Sequence, residues 1–306
     1  MKGFYGRILR IDLNKKDYEE LEVPDAVLSQ TLGGKGLASK LLLDFNPPDV
    51  DPMAPENCLI FATGPITGSS IWGSSRYGVF TKSPQTGFYA ESYSGGKVPE
   101  AIDAVGFDAI VLQGRCTTPT VLVIGPDSVA FHKAVELWGL ETYDTEKNVL
   151  SRFASAKAGY RRPGAVVIGP AAENGIRFSV IKNDIWRSAG RTGVGTVMGS
   201  KQVKAIVFLG DRRRPLYDSQ AVRRFAKNIA AESKTNAGVA AYKAMGTSQM
   251  VKIMNTANAF PTGYWNKGTC DHWENIGTVA LHARCDVRPN ACAKCLIACG
   301  RLTTVK

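Results

Sequence analysis

Cys292, Cys295 and Cys299 form a C-x2-C-x3-C run followed by Gly300, and they are three of only seven cysteines in the chain. On a turn entering one helical turn, thiolates at this spacing point three sulfurs at a common centre, which is what an iron–sulfur cluster takes from its protein. A cubane cluster usually has four ligands. Cys285 and Cys270 are the remaining candidates within the chain, and a residue outside it is the other source. Structural zinc is a competing reading, because His282 and Cys285 stand close enough upstream to complete four ligands with Cys292 and Cys295. Buried thiols that bind nothing are a third. Radical-generating clusters use the reverse order, C-x3-C-x2-C, so the run speaks against that chemistry.

Three glycine-rich loops are the other chemical signal: Gly64–Gly73, Tyr93–Lys97 and Arg187–Gly195. Small residues let backbone N–H groups approach an anion, and an arginine beside them binds phosphate bidentately. None of the loops is a Walker A sequence, and Gly190–Gly195 does not match the dinucleotide fingerprint. Acid–base constellations are sparse. Only His132, His272 and His282 exist, and there is no H-x-x-x-H pair and no G-x-S-x-G elbow. Glu91, Glu173 and Asp184 lie near the loops, where capping a turn or pairing with arginine is the simpler role. No catalytic side chain is assigned, so a cofactor would have to carry the chemistry.

The chain has 306 residues, 44% of them apolar and 21% charged, which suits one large or two medium globular domains. Apolar runs stop at about six residues, far below the roughly 20 needed to span a bilayer. Met1–Arg7 shows no leader, so a cytoplasmic protein without membrane association is expected. An odd, late-clustered set of cysteines fits a reducing compartment. The net charge of +11 is spread along the chain, with local concentrations at Arg212–Arg214 and Arg223–Arg224 that have no interleaved aromatics. That pattern suits phosphorylated cofactors or a small acidic electron carrier rather than nucleic acid.

Around these residues the chain begins with a hairpin, Ile8–Leu13 returning through Tyr18–Val23, and two short helices, Asp25–Leu32 and Leu37–Leu43. From Cys58 to Gly210 short apolar strands recur between glycine-rich turns: 59–62, 78–81, 109–112, 121–124, 166–168 and 205–208. Helices are expected at Val98–Val105 and Thr145–Ala156. Three blocks repeat in order: Leu59–Pro65 with Ala165–Pro170, Ser75–Val79 with Gly190–Val194, and Phe107–Gly114 with Val203–Gly210. A duplicated unit presents two similar loop sets to one groove, suited to a two-fold-like ligand. Beyond Gly210 helical spacing prevails, at Ser219–Ser233, Thr247–Asn258 and Val279–Arg284, and Arg301–Lys306 reads as the beginning of a strand. The predicted fold is α+β. Residues 1–210 form two related β-sheets with covering helices, and residues 211–306 form the start of an all-helical domain carrying the cysteines.

Ser75–Pro84, Ser94-Gly95-Gly96, the long block Asn183–Lys201 and the closing C-x2-C-x3-C-Gly all resemble the aldehyde ferredoxin oxidoreductases, over Gly6 to the last residue. The resemblance implies a tungsten-pterin enzyme that oxidises aldehydes to carboxylic acids, with a bis-pterin lying on two related sheets and helical domains above. Arg76 matches the arginine that bridges cluster and pterin in that family. Tyr93 and Ser188 stand where backbone carbonyls hold a magnesium between the pterin phosphates. Gly95, Arg187 and Gly190 match neighbouring pterin contacts, and Cys292, Cys295 and Cys299 match three of four ligands of a [4Fe–4S] cluster. The family's fourth cysteine, second pterin loops and acid–base residues all fall beyond Lys306, so the chain resembles an N-terminal portion. Ferredoxin or a similar acidic carrier is the implied electron acceptor. Molybdenum in place of tungsten, and a homodimer, are left open. The alternative is a non-catalytic iron–sulfur or cofactor-binding subunit.

Overall fold

The computed structural model describes residues 1–154 and 162–305. The end of the helix expected at Thr145–Ala156 lies outside them. The chain divides into two compact units, Met1–Ser69 with Ser74–Ser219, and Ser70–Gly73 with Gln220–Lys306.

In the first unit, β1 (Arg7–Asp12), β2 (Asp17–Glu22), β3 (Leu59–Thr63), β4 (Tyr77–Lys82), β5 (Tyr89–Ser94) and β6 (Ala109–Gln113) form a sheet ordered β2-β1-β6-β3-β4-β5. Helices α1 (Asp25–Thr31), α2 (Gly34–Phe45) and α3 (Val98–Ala104) accompany it. A second sheet follows, from β7 (Thr120–Ile124), β8 (Val129–Lys133), β9 (Gly164–Val167), β10 (Ile181–Asn183), β11 (Arg187–Ala189) and β12 (Val203–Phe208). Its helices are α4 (Thr142–Phe153), α5 (Pro170–Glu173) and α6 (Val194–Ser200), and its order is β11-β10-β9-β12-β7-β8.

Read by position, the two sheets have one topology. The parallel pair β1/β6 corresponds to β7/β12, and the antiparallel series β6-β3-β4-β5 corresponds to β12-β9-β10-β11. The duplication expected from the sequence is therefore present, and it extends further, since the opening hairpin β1–β2 has its counterpart in β7–β8. Its middle block is corrected. Gly190–Val194 follows β11 and leads into α6, so its counterpart is the 95–97 loop between β5 and α3, not Ser75–Val79.

Strand periodicity explains the layering. Alternate residues of a strand face opposite sides of the sheet, and both sides here are covered. Leu59 and Phe61 of β3, with Val166 of β9 and Ile206 and Phe208 of β12, join α3 and α6 residues Val98, Ile102, Val194, Val197 and Met198 in one central core. Ile60 and Ala62 point the other way, onto Leu28 of α1 and Leu37, Ala38 and Leu41 of α2. Ala165, Val167, Ala205 and Val207 point onto Val149 of α4. This double coverage makes β3 and β12 apolar except for Thr63 and Lys204, and easy to read. β5, β8, β10 and β11 escaped the sequence reading because they are short or alternate polar residues outward.

Charged side chains inside this unit are each held by specific partners. Arg214, almost fully buried, donates through Nε to Asp103 at 2.6 Å and through Nη2 to Thr63 Oγ1 at 2.7 Å, contacts Asp108, and lies over the Tyr5 ring. It ties the stretch after β12 to the first sheet. Lys204 pairs with Glu173 and donates to the Leu140 carbonyl at 2.8 Å. Lys201 has no carboxylate within ion-pair distance among the described residues; its Nζ donates to the carbonyls of Pro55 at 2.9 Å and Gly114 at 3.1 Å. Burial pushes its pKa down to about 8.

The second unit carries α7 (Ser219–Glu232), α8 (Ala237–Met245), α9 (Met250–Thr256) and α10 (Thr278–Arg284), none of which has a fully buried residue. It also contains a hairpin, β13 (Cys285–Asn290) with β14 (Gly300–Val305), so the helical region is not purely helical. Among the described residues no helix is long and apolar enough to cross a membrane.

Two outcomes follow. Replacing Arg214 by alanine leaves Asp103 and Asp108 buried without their cation and should cost about 3–5 kcal/mol in denaturant unfolding. Lys201 binds fewer protons folded than unfolded between about pH 8 and its ordinary 10.5, so the folded state gains stability as pH rises through that window. The slope of stability against pH there should be shallower in Lys201→Met than in wild type.

Candidate functional site

The two sheets face each other at their edges: β5 and β11 lie against one another without sharing a ladder. Each edge strand runs into a glycine-bearing loop and then into a short helix, β5 through Gly95–Lys97 into α3 and β11 through Gly190–Gly193 into α6. Gly96 adopts φ +100°, and a Cβ there would sit 2.3 Å from Asp184 Oδ2. Gly193 adopts φ +76°, and a Cβ there would sit 2.0 Å from the Arg177 carbonyl oxygen. Both positions need the left-handed conformation and have no room for a side chain.

Side chains and backbone stitch the edges together. Ser92 Oγ on β5 accepts the N–H of Arg191 at 3.0 Å. Asn183, at the end of β10, accepts from Tyr77 Oη at 3.1 Å and Ser94 Oγ at 2.7 Å, and donates to the Gly95 carbonyl at 2.9 Å. Asp184 Oδ2 accepts the N–H groups of Lys97 at 2.6 Å and Val98 at 3.0 Å. Ser75 Oγ donates to the Gly96 carbonyl at 2.9 Å.

Of the residues singled out in the sequence, six lie in this unit. Tyr93 is on β5, 47% exposed; its hydroxyl donates to Glu91 at 3.2 Å, and partial burial, reinforced by the Glu91 charge, pushes its pKa up to about 12. Gly95 is buried just beyond the strand. Arg187 opens β11 opposite Asn183, Ser188 is exposed opposite Lys182, and exposed Gly190 follows. Arg76 directly precedes β4, whose Tyr77 pairs with Ser94, so it stands at the Gly95 end of that ladder. It is exposed, and its guanidinium has no hydrogen bond or ion pair to the described residues. Lys97 and Arg191 are also exposed. Exposed cations beside the exposed backbone of Gly190 are a donor set that fits the phosphates of a pterin cofactor.

The cysteines belong to the second unit. Asn290 and Gly300 form the last pair of the β13–β14 hairpin, and the loop between them carries Cys292, Cys295 and Cys299. It is built from turns, with the Cys295 N–H bonded to the Cys292 carbonyl at 3.2 Å and with Lys294 and Ala298 at φ +55° and +47°. The helical turn expected there is absent. Thr247 donates its N–H to the Cys299 carbonyl at 3.0 Å. All seven cysteines are free thiols, and these three are partly exposed. Three free thiols on one loop match the donor chemistry of an iron–sulfur cluster, but no group of three or more His, Cys, Asp or Glu residues is gathered for a metal among the described residues.

Sequence reasoning noted Asp184 only as a turn cap or arginine partner and missed Asn183, Ser94 and Tyr77 as a connected set. No motif announces them, because their partners are about 90–105 residues away in the chain.

The model of the aldehyde ferredoxin oxidoreductase N-terminal domain matches residues 8–210, and that of domains 2 and 3 matches residues 221–306. The tungsten-containing aldehyde ferredoxin oxidoreductase of Thermococcus kodakarensis is 37% identical over 99% of this chain and 49% of its own length. That of Pyrococcus furiosus is 36% identical over the same shares. The chain thus spans about half the length of the curated relatives it matches. Among solved structures, the active-site complex BamBC of benzoyl coenzyme A reductase, bound to 1,5-dienoyl-CoA, superposes with a TM-score of 0.83 at 25% identity, over 100% of this chain and 48% of that one. Facing sheet edges of one topology, glycine loops flanked by exposed arginines and the matches across both regions lead to one conclusion: the chain belongs to the aldehyde ferredoxin oxidoreductase family.

Proposed function

We propose that the protein oxidises aldehydes to carboxylic acids with a tungsten or molybdenum bis-pterin, and passes the electrons through a [4Fe–4S] cluster to ferredoxin or a similar small acidic carrier. In that reaction an aldehyde and water give a carboxylic acid, two protons and two electrons. The observation that carries the reading is the junction of β5 and β11. There the Gly95–Lys97 loop packs on Asn183, Asp184 and Arg187 at the start of β11, and the loop after β11 reaches back to Ser92 of β5, an arrangement suited to a two-fold-like, phosphate-bearing ligand.

When bound, the pterin-held metal supplies oxygen transfer and two-electron chemistry. What this chain's residues do is hold and orient. Arg187, Gly95 and Gly190 would contact the pterin, the two glycines by allowing close backbone approach. The backbone carbonyls of Tyr93 and Ser188 would hold a magnesium ion between the phosphates. Arg76, exposed and with its guanidinium unpaired among the described residues, would contact the pterin. Cys292, Cys295 and Cys299 would give three thiolates to the cluster, with the fourth ligand outside this set. The net charge of +11 favours docking of an acidic carrier.

Native protein purified without oxygen should contain about four iron atoms per chain together with tungsten or molybdenum, measured by plasma mass spectrometry. Iron alone would leave an electron carrier, and zinc alone would sink the reading. Arg76→Ala should shift stability by no more than about 0.5 kcal/mol, since the guanidinium has no partner among the described residues. Aldehyde-dependent reduction of ferredoxin should fall, and an unchanged rate would remove Arg76 from the site.

A further inference from the structure

Asn183 is fully buried, and a primary amide has four hydrogen-bonding positions, two accepting and two donating. All four are used. Oδ1 accepts from Tyr77 and Ser94, and Nδ2 donates to the Gly95 carbonyl and, at 3.1 Å, to Asp184 Oδ2. The carboxylate of Asp184 continues the chain to the amides of Lys97 and Val98. Two adjacent residues of the second sheet therefore grip the 94–98 loop of the first at its beginning, middle and end. An aspartate at 183 would accept but not donate, turning a carboxylate toward both the Gly95 carbonyl and Asp184.

The grip is held against local preference. Asp184 and Ile185 have φ of +47° and +61°, conformations that L residues other than Asn and Asp seldom adopt. The Ile185 N–H is bonded to Glu146 Oε2 at 2.9 Å, which secures the turn from α4. Because Asp184 occupies the first amides of α3, those amides are taken, and anion binding here falls to the arginines and to the backbone around Gly190.

We propose that Asn183 and Asp184 are positioning residues. They set the 94–98 loop against β11, so that the carbonyls of Tyr93 and Ser188 present to one magnesium ion and the pterin lies across both edges. This rests on the cofactor reading above.

The test uses the native full chain, purified without oxygen as wild type, Asn183→Asp, Asp184→Ala and Asp184→Asn. It reads tungsten or molybdenum, magnesium and iron per chain after gel filtration, together with the thermal unfolding midpoint. Asn183→Asp and Asp184→Ala should lose pterin metal and magnesium about tenfold or more while iron stays at the wild-type level, as removal of groups that orient ligands does elsewhere. Asp184→Asn keeps an oxygen for the two amides and should restore most of the loading. Asp184 is only partly buried, so its variants decide the matter if Asn183→Asp does not fold. Iron, magnesium and pterin metal falling together with the unfolding midpoint would mean a merely structural role and overturn the proposal. Full loading in all variants would overturn it too. Wild-type protein without pterin metal or magnesium would instead overturn the cofactor reading on which it rests.

Discussion

A sheet edge turned toward the interior exposes backbone N–H and C=O groups that no further strand satisfies, and buried groups of that kind must find partners. β5 and β11 are two such edges brought face to face, and they belong to separate ladders. Their reconciliation is made by side chains: Ser92 takes the Arg191 amide, and Asn183 and Asp184 reach across to the loop beyond β5. Tyr93, Gly95, Arg187, Ser188 and Gly190 all lie at or just beyond this seam, with Arg76 at its Gly95 end. A continuous ladder would have sealed it. Side-chain stitching leaves the two edges as separate ladders.

The electrostatics of the unit divide into an inner and an outer set. Arg214, Lys204 and Lys201 are buried, and each is matched to its own acceptors, two carboxylates, one carboxylate with a carbonyl, and two carbonyls. They organise the scaffold and add little field outside it. Arg76, Lys97 and Arg191 are exposed and remain available to an anion. Lys201 and Lys204 stand close in sequence to the Arg187–Gly195 loop, but proximity in the chain does not make them site residues, because their ammonium groups are fully engaged elsewhere.

How much of this was legible in the sequence depended on range. β3, β9 and β12 were readable because burial on both faces makes them almost wholly apolar, Thr63 and Lys204 excepted. β5 was not, because Tyr89, Glu91 and Tyr93 face outward and mask the strand. α6 was hidden by its glycines, which are there because Cβ atoms at Gly195 and Gly199 would meet the carbonyl oxygens of Val180 and Ala172 at 2.4 Å. Internal similarity revealed the duplication but misaligned its middle block, since Arg-x-Gly-Val occurs both at the start of β4 and after β11, places that are not equivalent in the fold. The cysteine run was obvious, whereas its hairpin setting required β14, which begins only at Gly300. Asn183 could not have been found from local pattern at all.

The identical strand order of the two sheets also bears on how the chain reaches its native state. β1 must wait for β6, about a hundred residues later, and β7 waits similarly for β12, so the central parallel pairings are long-range and intrinsically slow. During that wait β1 and β7 are competing partners for whichever central strand appears first, and a sequence repeated this closely invites the wrong match. The native pairings differ in one respect: β7 and β12 shift register between Val203 and Ala205, whereas β1 and β6 run without interruption from Ile8 to Asp12. That irregularity gives the two central pairings different registers, so an exchanged match would reproduce the native ladder of neither half.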